Sequence, residues 1–135
     1  MHKFPIYNFK NCAELPYEDL NALKFAVYIL DFNWNFLFAN SIGCSNLKAT
    51  LDDLKGENLW KMFGNTNNDP QFKTIITDVE SRRASNITTV SAITGRRVNV
   101  TGYPLEDCYY FSVSLLPDKE DLINDLRSQL GKNKH

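Results

Sequence analysis

The chain has 135 residues, of which 43% are hydrophobic and 13% aromatic, and its formal net charge is -1. This length and composition predict one folded domain with a buried core, and they exclude a disordered chain. The charge near zero gives no reason to expect nucleic acid or an anionic membrane as a partner. No apolar run approaches the roughly 20 residues of a membrane span.

The residues that usually carry catalysis or bind metals are few and scattered. Cys12, Cys44 and Cys108 are too far apart for a paired-cysteine metal site, so we expect reduced thiols and a cytoplasmic location. The start of the chain lacks a secretory signal. His2 and His135 lie near the two ends, which argues against a histidine-based catalytic site. We therefore predict no enzyme, no catalytic residue and no metal site.

The first third of the chain predicts a helix and a hairpin. Pro16 to Leu23 fits a short helix that follows an irregular N-terminal arm. Phe25 to Asp31 and Phe36 to Ala39 are apolar runs of strand length, joined by an asparagine-rich turn. Asn40 then suits the N-cap of a second short helix.

The middle of the chain predicts short helices and one longer helix. Thr50 to Asp53 resembles a capping box, and Leu59 to Phe63 fits a single turn packed on the core. Asp69 is the candidate N-cap of a helix from Pro70 to Arg83, with proline at its first position. Four apolar side chains recur at helical spacing on one face of this helix: Phe72, Ile75, Ile76 and Val79.

The last part of the chain predicts three strands and a helix. Asn86 to Leu116 divides into three strands in which apolar and polar residues alternate, as in a sheet with two unlike faces. Val98 and Val100 belong to one face, and Asn99 belongs to the other. A final helix is expected from about Asp118 to Leu130.

Several segments resemble motifs of the Per-Arnt-Sim (PAS) sensor domain. Phe36 to Asn40 is similar to the end of its opening hairpin, Gly56 to Trp60 to its middle segment, and Tyr103 to Leu105 to its closing hairpin. The resemblance covers Leu20 to Leu116. In one departure, Leu115 to Pro117 stands where many members have Asp-Ile-Thr, the residues that tie the last strand to the signalling helix.

The resemblance implies an α+β fold and three segments. We expect a PAS-like five-stranded antiparallel sheet, with short helices and one longer helix packed on one face, and with flanking N- and C-terminal helices. Residues 1–19 would form the N-terminal arm and the start of the short helix. Residues 20–117 would form the PAS-like domain, and residues 118–135 the C-terminal helix and tail.

The resemblance also implies a sensory or protein-interaction module in signal transduction. Leu59 stands where light sensors of the LOV type carry their flavin-reactive cysteine, and the helix from Pro70 to Arg83 offers no histidine for haem. We therefore expect neither cofactor. Between sheet and helices we expect a solid core or a pocket too small for a specific ligand, and a small apolar or aromatic ligand is the alternative. The candidate pocket residues are the apolar side chains expected to face that space: Ala26, Tyr28, Leu30, Leu59, Phe63, Phe72, Ile75, Ile76, Val79, Val98, Val100, Tyr109, Phe111 and Val113.

The outer face of the sheet predicts a partner. Val27 and Ile29 are too apolar for an open sheet face, and the helix that carries Leu20 and Leu23 would cover them together with a second subunit. We expect a homodimer, and an effector or kinase partner that contacts the C-terminal helix. The rival interpretation is a small enzyme or carrier with the cone-shaped fold of nuclear-transport-factor-like lyases and isomerases.

Overall fold

The computed structural model describes residues 9–91 and 95–116, which form a single antiparallel sheet with helices packed on it. The strand order is β2-β1-β5-β4-β3. The strands are β1 Ala26–Leu30, β2 Phe36–Ala39, β3 Ser85–Val90, β4 Arg97–Pro104 and β5 Tyr109–Leu115. The helices are α1 Tyr17–Asn21, α2 Ser41–Leu47, α3 Leu51–Leu54, α4 Leu59–Met62 and α5 Lys73–Glu80. The predicted α+β fold with a five-stranded antiparallel sheet is confirmed, whereas the predicted C-terminal helix lies outside the described residues.

Alternation along the strands separates two faces of the sheet. Val100 of β4 pairs with Val113 of β5, and both belong to the core cluster between sheet and helices. One residue further along β4, Thr101 pairs with Ser112 on the opposite face, and their hydroxyl groups are hydrogen-bonded. Because side chains alternate along a strand, this register sends the apolar set of β4 and β5 toward the helices.

The inner face of the sheet packs against the helices and the loops between them. Trp60 of α4 and Ile75 and Val79 of α5 are buried against it. Phe72, in a single 3-10 turn that precedes α5, joins the same cluster. The fold thus places its main core between the sheet and the segment from α4 to α5.

The outer face of β1 is covered by the chain's own N-terminal segment, residues 9–21. Val27 and Ile29 of β1 and Leu20 of α1 each have 0% of their surface exposed, and Leu23 is half-buried. Leu15 packs in the same cluster, so residues 9–15 lie on the sheet, where an irregular arm was expected. The apolar surface that suggested a homodimer is therefore already buried within one chain, while the homodimer itself stays a prediction.

Asn40 caps α2 as predicted, and its side chain also makes hydrogen bonds to the backbone outside that helix. Its side-chain oxygen accepts hydrogen bonds from the backbone N–H of Gly43 and of Val27, at 2.9 Å each. Its side-chain nitrogen donates to the backbone oxygens of Leu20, at 2.8 Å, and Phe25, at 2.9 Å. The side chain is fully buried. One amide therefore joins α1, the start of β1 and α2.

The long helix predicted from Pro70 to Arg83 is shorter. A 3-10 turn over Pro70–Phe72 precedes α5, and the Asp69 side chain makes no capping hydrogen bond. The helix stops because Arg82 has a φ of 55°, the left-handed conformation that ends helices. From that position, the Arg82 guanidinium lies over the ring of Phe32, 3.9 Å from its centroid.

The capping box predicted at the start of α3 is present. The Thr50 side chain accepts a hydrogen bond from the backbone N–H of Asp53, and the Asp53 carboxylate accepts one from the N–H of Thr50.

None of the helices in the described parts of the chain is long and apolar enough to cross a membrane.

Candidate functional site

A cavity of about 80 Å³ lies between the inner face of the sheet and the segment from α4 to α5. Strands supply most of its wall, and α4 and α5 close it from the other side. The lining residues are Tyr28, Leu30, Trp34, Phe36, Leu59, Trp60, Phe72, Ile75, Ile87, Thr89, Ser91, Val98, Val100, Phe111 and Val113.

The lining overlaps the predicted pocket but is not identical to it. Nine predicted residues line the cavity: Tyr28, Leu30, Leu59, Phe72, Ile75, Val98, Val100, Phe111 and Val113. Five others do not: Ala26, Phe63, Ile76, Val79 and Tyr109. Ala26 and Val79 are buried elsewhere in the same core, Val79 on α5, which packs against β3. Ile76 is partly buried against that core, and Phe63 is half-buried.

Tyr109 was expected to line the pocket, but its hydroxyl makes hydrogen bonds outside the cavity. That hydroxyl lies 2.6 Å from the Ser85 Oγ and donates to the backbone oxygen of Arg83 at 2.5 Å. The ring lies against Gly102, where an added Cβ would be 2.3 Å from the Tyr109 Cε1. Glycine thus gives Tyr109 its place between the sheet and the end of α5, away from the cavity.

Tyr28 contributes its ring to the cavity and turns its hydroxyl toward α2. The hydroxyl lies 3.4 Å from the backbone oxygen of Gly43. Burial raises the pKa of Tyr28 to about 12, so the phenol stays protonated at neutral pH. Gly43 is required here, since a Cβ on it would lie 2.8 Å from the Tyr28 ring.

Trp34 and Trp60, the two largest side chains of the lining, were not among the predicted pocket residues. Trp34 belongs to the turn between β1 and β2, which the sequence identified only as a polar connection. The Asp31 carboxylate accepts hydrogen bonds from the N–H of Asn33 and of Asn35, at 2.9 Å each. This turn holds Trp34 with a φ of 69°, a left-handed conformation that costs of order 1–3 kcal/mol.

Asn58 connects this turn to α4 and so positions both tryptophans. Its side-chain oxygen accepts from the N–H of Trp60, at 3.0 Å, and its side-chain nitrogen donates to the backbone oxygen of Asn33, at 2.9 Å. The N–H of Leu59 donates to the backbone oxygen of Trp34 at 2.8 Å. An asparagine directly before an apolar helix is a capping signal, so the sequence contained the information needed to predict this cap.

The two tryptophans form one aromatic wall with two phenylalanines. The Trp34 and Trp60 ring centroids are 5.1 Å apart, Trp34 stacks on Phe111 at 5.9 Å, and Trp60 contacts Phe72 at 5.3 Å. The indole N–H of Trp60 is buried and has no hydrogen-bond partner within the described part of the chain. Leaving such a donor unpaired costs about 1–3 kcal/mol.

Strand β3 adds three lining residues that the sequence analysis also missed. Ile87 and Thr89 pair with Val100 and Val98, so they share the inner face, and Ser91 follows the strand. The period-2 pattern of residues 85–90 was available to assign these faces. With only Thr89 and Ser91 as uncharged hydroxyl groups beside the Tyr28 phenol, the described lining can hold apolar molecules but offers no carboxylate or imidazole for proton transfer.

Comparisons with known proteins identify the fold. No family model and no curated protein sequence matches the chain. Among solved structures, the photoactive yellow protein domain of the sensor histidine kinase Ppr from Rhodospirillum centenum is similar, with a TM-score of 0.61 and 16% identity. That match covers 76% of this chain and 94% of the other.

Two further structures have the same architecture. The PAS domain of nitrogen regulation protein NR(II) from Vibrio parahaemolyticus has a TM-score of 0.56 and 16% identity over 76% of this chain and 99% of its own. The PAS domain of the quorum-sensing receptor RpfR from Cronobacter turicensis, solved in complex with BDSF, has a TM-score of 0.56 and 12% identity over 70% of this chain and 96% of its own. The strand order, the inner cavity and these matches together show that the chain has the fold of the PAS domain.

Proposed function

We propose that the chain is a sensory and protein-interaction module of signal transduction, which acts by binding a small molecule and not by catalysis. The structural neighbours support the sensory role, because they are domains of a sensor histidine kinase, a nitrogen regulation protein and a quorum-sensing receptor. The rival cone-shaped enzyme is less well supported, since such an enzyme needs polar catalytic groups and the described cavity lining is almost entirely apolar.

The observation that carries the binding proposal is the cavity with its aromatic wall and its unpaired indole donor. Apolar side chains favour an aromatic or aliphatic ligand, because burial of apolar surface drives its transfer from water. The unpaired N–H of Trp60 favours a ligand that also carries one hydrogen-bond acceptor. We therefore propose a small, mostly apolar molecule with a carbonyl or ether oxygen.

The cavity volume limits the size of this ligand. An engineered apolar cavity of about 150 Å³ binds benzene in another protein, whereas the cavity here measures about 80 Å³. A six-membered ring would thus require side chains such as Trp60 or Leu59 to move. Ligand binding would then be coupled to the position of α4, which offers a means of passing a signal from the cavity to the surface.

Nuclear magnetic resonance of the ¹⁵N-labelled chain tests this proposal. Both tryptophans of the chain line the cavity, so their two indole N–H signals report directly on occupancy. Cyclohexanone and methylcyclohexane form a matched pair of probes with and without an acceptor. We expect both probes to change the positions of the two indole N–H signals. Only cyclohexanone, which can accept a hydrogen bond, should move the Trp60 signal downfield. If neither probe shifts either signal up to its solubility, the interior is a solid core and the binding proposal is wrong.

We further propose that the module carries no haem or flavin. Leu59, in place of a reactive cysteine, lines the cavity, and α5 contains no histidine. The purified protein is expected to be colourless, and a visible absorption band that persists through gel filtration would contradict this. The cytoplasmic location expected from the cysteine content stays a prediction.

Assembly is also a proposal. We propose a homodimer whose contact uses the outer surface of the N-terminal segment together with Leu23, which follows that segment and is half-buried. An effector or kinase partner would contact the predicted C-terminal helix. Sedimentation at tens of micromolar tests the dimer: wild type should be dimeric and a Leu23→Glu variant monomeric, and a monomeric wild type would overturn the proposal.

A further inference from the structure

Two cysteines from distant parts of the sequence meet on the outer face of the sheet. Cys12 lies in a 3-10 turn of the N-terminal segment, and Cys108 directly precedes β5. Cys12 lies close enough to Cys108 to raise the pKa of its thiol. Both side chains belong to the same apolar cluster, which also contains Val27 and Ile29.

Neighbouring hydrogen bonds hold this pair of thiols in place. The backbone N–H of Cys12 donates to the Asp107 carboxylate at 2.9 Å. The backbone N–H of Glu106 donates to the backbone oxygen of Lys10 at 2.8 Å. Because the backbone on either side of the two thiols is already tied together, a covalent bond between the sulfurs needs little further ordering of the chain.

The two thiols have different access to solvent. Cys12 is half-buried, whereas Cys108 has 0% of its surface exposed. The Tyr17 hydroxyl lies 2.7 Å from the Cys12 sulfur. Burial, together with the nearby Cys12 and Asp107, raises the pKa of the Cys108 thiol. A reagent from solution therefore reaches the Cys12 thiol first. The Cys108 thiol is the second one, and it can then react with Cys12.

We propose that Cys12 and Cys108 form an oxidation site, which a peroxide converts to an intrachain disulfide that fixes the N-terminal segment to the sheet. The Cys12 thiolate attacks one peroxide oxygen, the O–O bond breaks, and the other oxygen leaves as water after protonation. Cys12 is then a sulfenic acid. The Cys108 sulfur attacks the Cys12 sulfur, the S–O bond breaks, and a second water leaves. Two thiols thus lose two electrons and two protons to one peroxide.

This site is separate from the cavity and does not depend on a ligand. The disulfide would join the loop between β4 and β5 to the segment that covers the outer face of β1. The position of that segment would then depend on the oxidation state of the two thiols. A module with this pair could report peroxide through its outer face and a small molecule through its inner face.

Thiol counting and mass spectrometry of the full chain test the proposal. The reduced chain has three thiols. One equivalent of hydrogen peroxide should leave one thiol, lower the mass by two hydrogens and give a crosslinked peptide that contains Cys12 and Cys108. Dithiothreitol should restore all three thiols. Because the bond closes a long loop, the oxidised wild type should also melt at a higher temperature than the reduced protein.

Cys44 provides the matched control. It is half-buried beside the inner core, with its sulfur 3.5 Å from the backbone oxygen of Ala39. A Cys44→Ser variant should form the crosslink as wild type does, whereas Cys12→Ser should not form it. A thiol count that stays at three, a crosslink to Cys44 or a crosslink between two chains would each overturn the proposal.

Discussion

Replacing Asn40 by alanine should destabilise the protein far more than the loss of a helix cap. The substitution removes four hydrogen bonds, which join the side chain to Val27, Gly43, Leu20 and Phe25. Each such bond contributes about 1 kcal/mol net, so we expect a loss of about 4 kcal/mol, with more if the buried partners stay unpaired. A cap alone would cost about 1 kcal/mol. For a domain with a total stability of roughly 5–15 kcal/mol, this is a large fraction.

An Asn40→Asp variant separates the two interpretations. Asparagine and aspartate are about equally good N-caps, so a simple cap would tolerate the change. In this structure, however, the side-chain nitrogen donates to the oxygens of Leu20 and Phe25, and a carboxylate would present oxygen to both. One carboxylate oxygen would keep the hydrogen bonds from Val27 and Gly43, but the other would be buried against two carbonyl oxygens with no donor, so Asn40→Asp should cost at least as much as Asn40→Ala.

Urea unfolding followed by circular dichroism measures these differences as shifts of the midpoint at constant m-value. Thr50→Ala is the control, because Thr50 makes an exposed cap at the start of α3 and should cost about 1 kcal/mol. The reasoning is refuted if Asn40→Asp lies within about 1 kcal/mol of wild type. It is also refuted if Asn40→Ala costs no more than Thr50→Ala.

Three further predictions test the core and its register. In thermal melts, Phe111→Ala should cost about 3–5 kcal/mol because it opens a void in the core. Asn99 is half-buried on the outer face, so Asn99→Ala should cost about 1 kcal/mol. The reverse order would contradict the assigned faces of the sheet. Gly102→Ala should lower the urea midpoint because the added Cβ would clash with the Tyr109 ring. Tyr109→Phe removes the hydroxyl that holds this ring, so the double mutant should lose less stability than the sum of the two single losses. Full additivity would exclude this contact as the cause. Burial raises the pKa of Tyr28 to about 12 from its ordinary 10.0, so the unfolded state loses this proton first and stability should fall as pH rises from 10 to 12. In urea titrations on either side of pH 10, Tyr28→Phe should weaken that fall, and an equal fall in both proteins would count against the buried phenol.

The sequence alone was sufficient for the features that depend on neighbours along the chain. The alternation in β4 and β5 assigned Val100 and Asn99 to opposite faces, as the register of the sheet has them. The cap at Asn40 and the capping box at Thr50 were also identified, because each depends on contacts within about four residues. Local sequence carries these signals directly, since dihedral preferences and short-range hydrogen bonds act within one turn.

The tertiary structure decided the shape of the cavity. Val79 and Ile75 have the same helical pattern in the sequence, yet only Ile75 lines the cavity. Trp34 reaches it from a polar turn, where the Asp31 carboxylate holds the backbone in a left-handed conformation. A cavity is the volume left over after distant elements pack, so no pattern within one element determines which side chains border it.

The tertiary structure also decided what covers the sheet. The sequence indicated that Val27 and Ile29 must be covered, but the same apolar pattern is compatible with cover by the N-terminal segment and with cover by a second subunit. In the structure, residues 9–21 bury them completely, and this packing brings Cys12 beside Cys108. Burial of apolar surface is non-directional, so the sequence determined only that these side chains are covered. Which part of the molecule covers them was determined by the path of the chain in three dimensions.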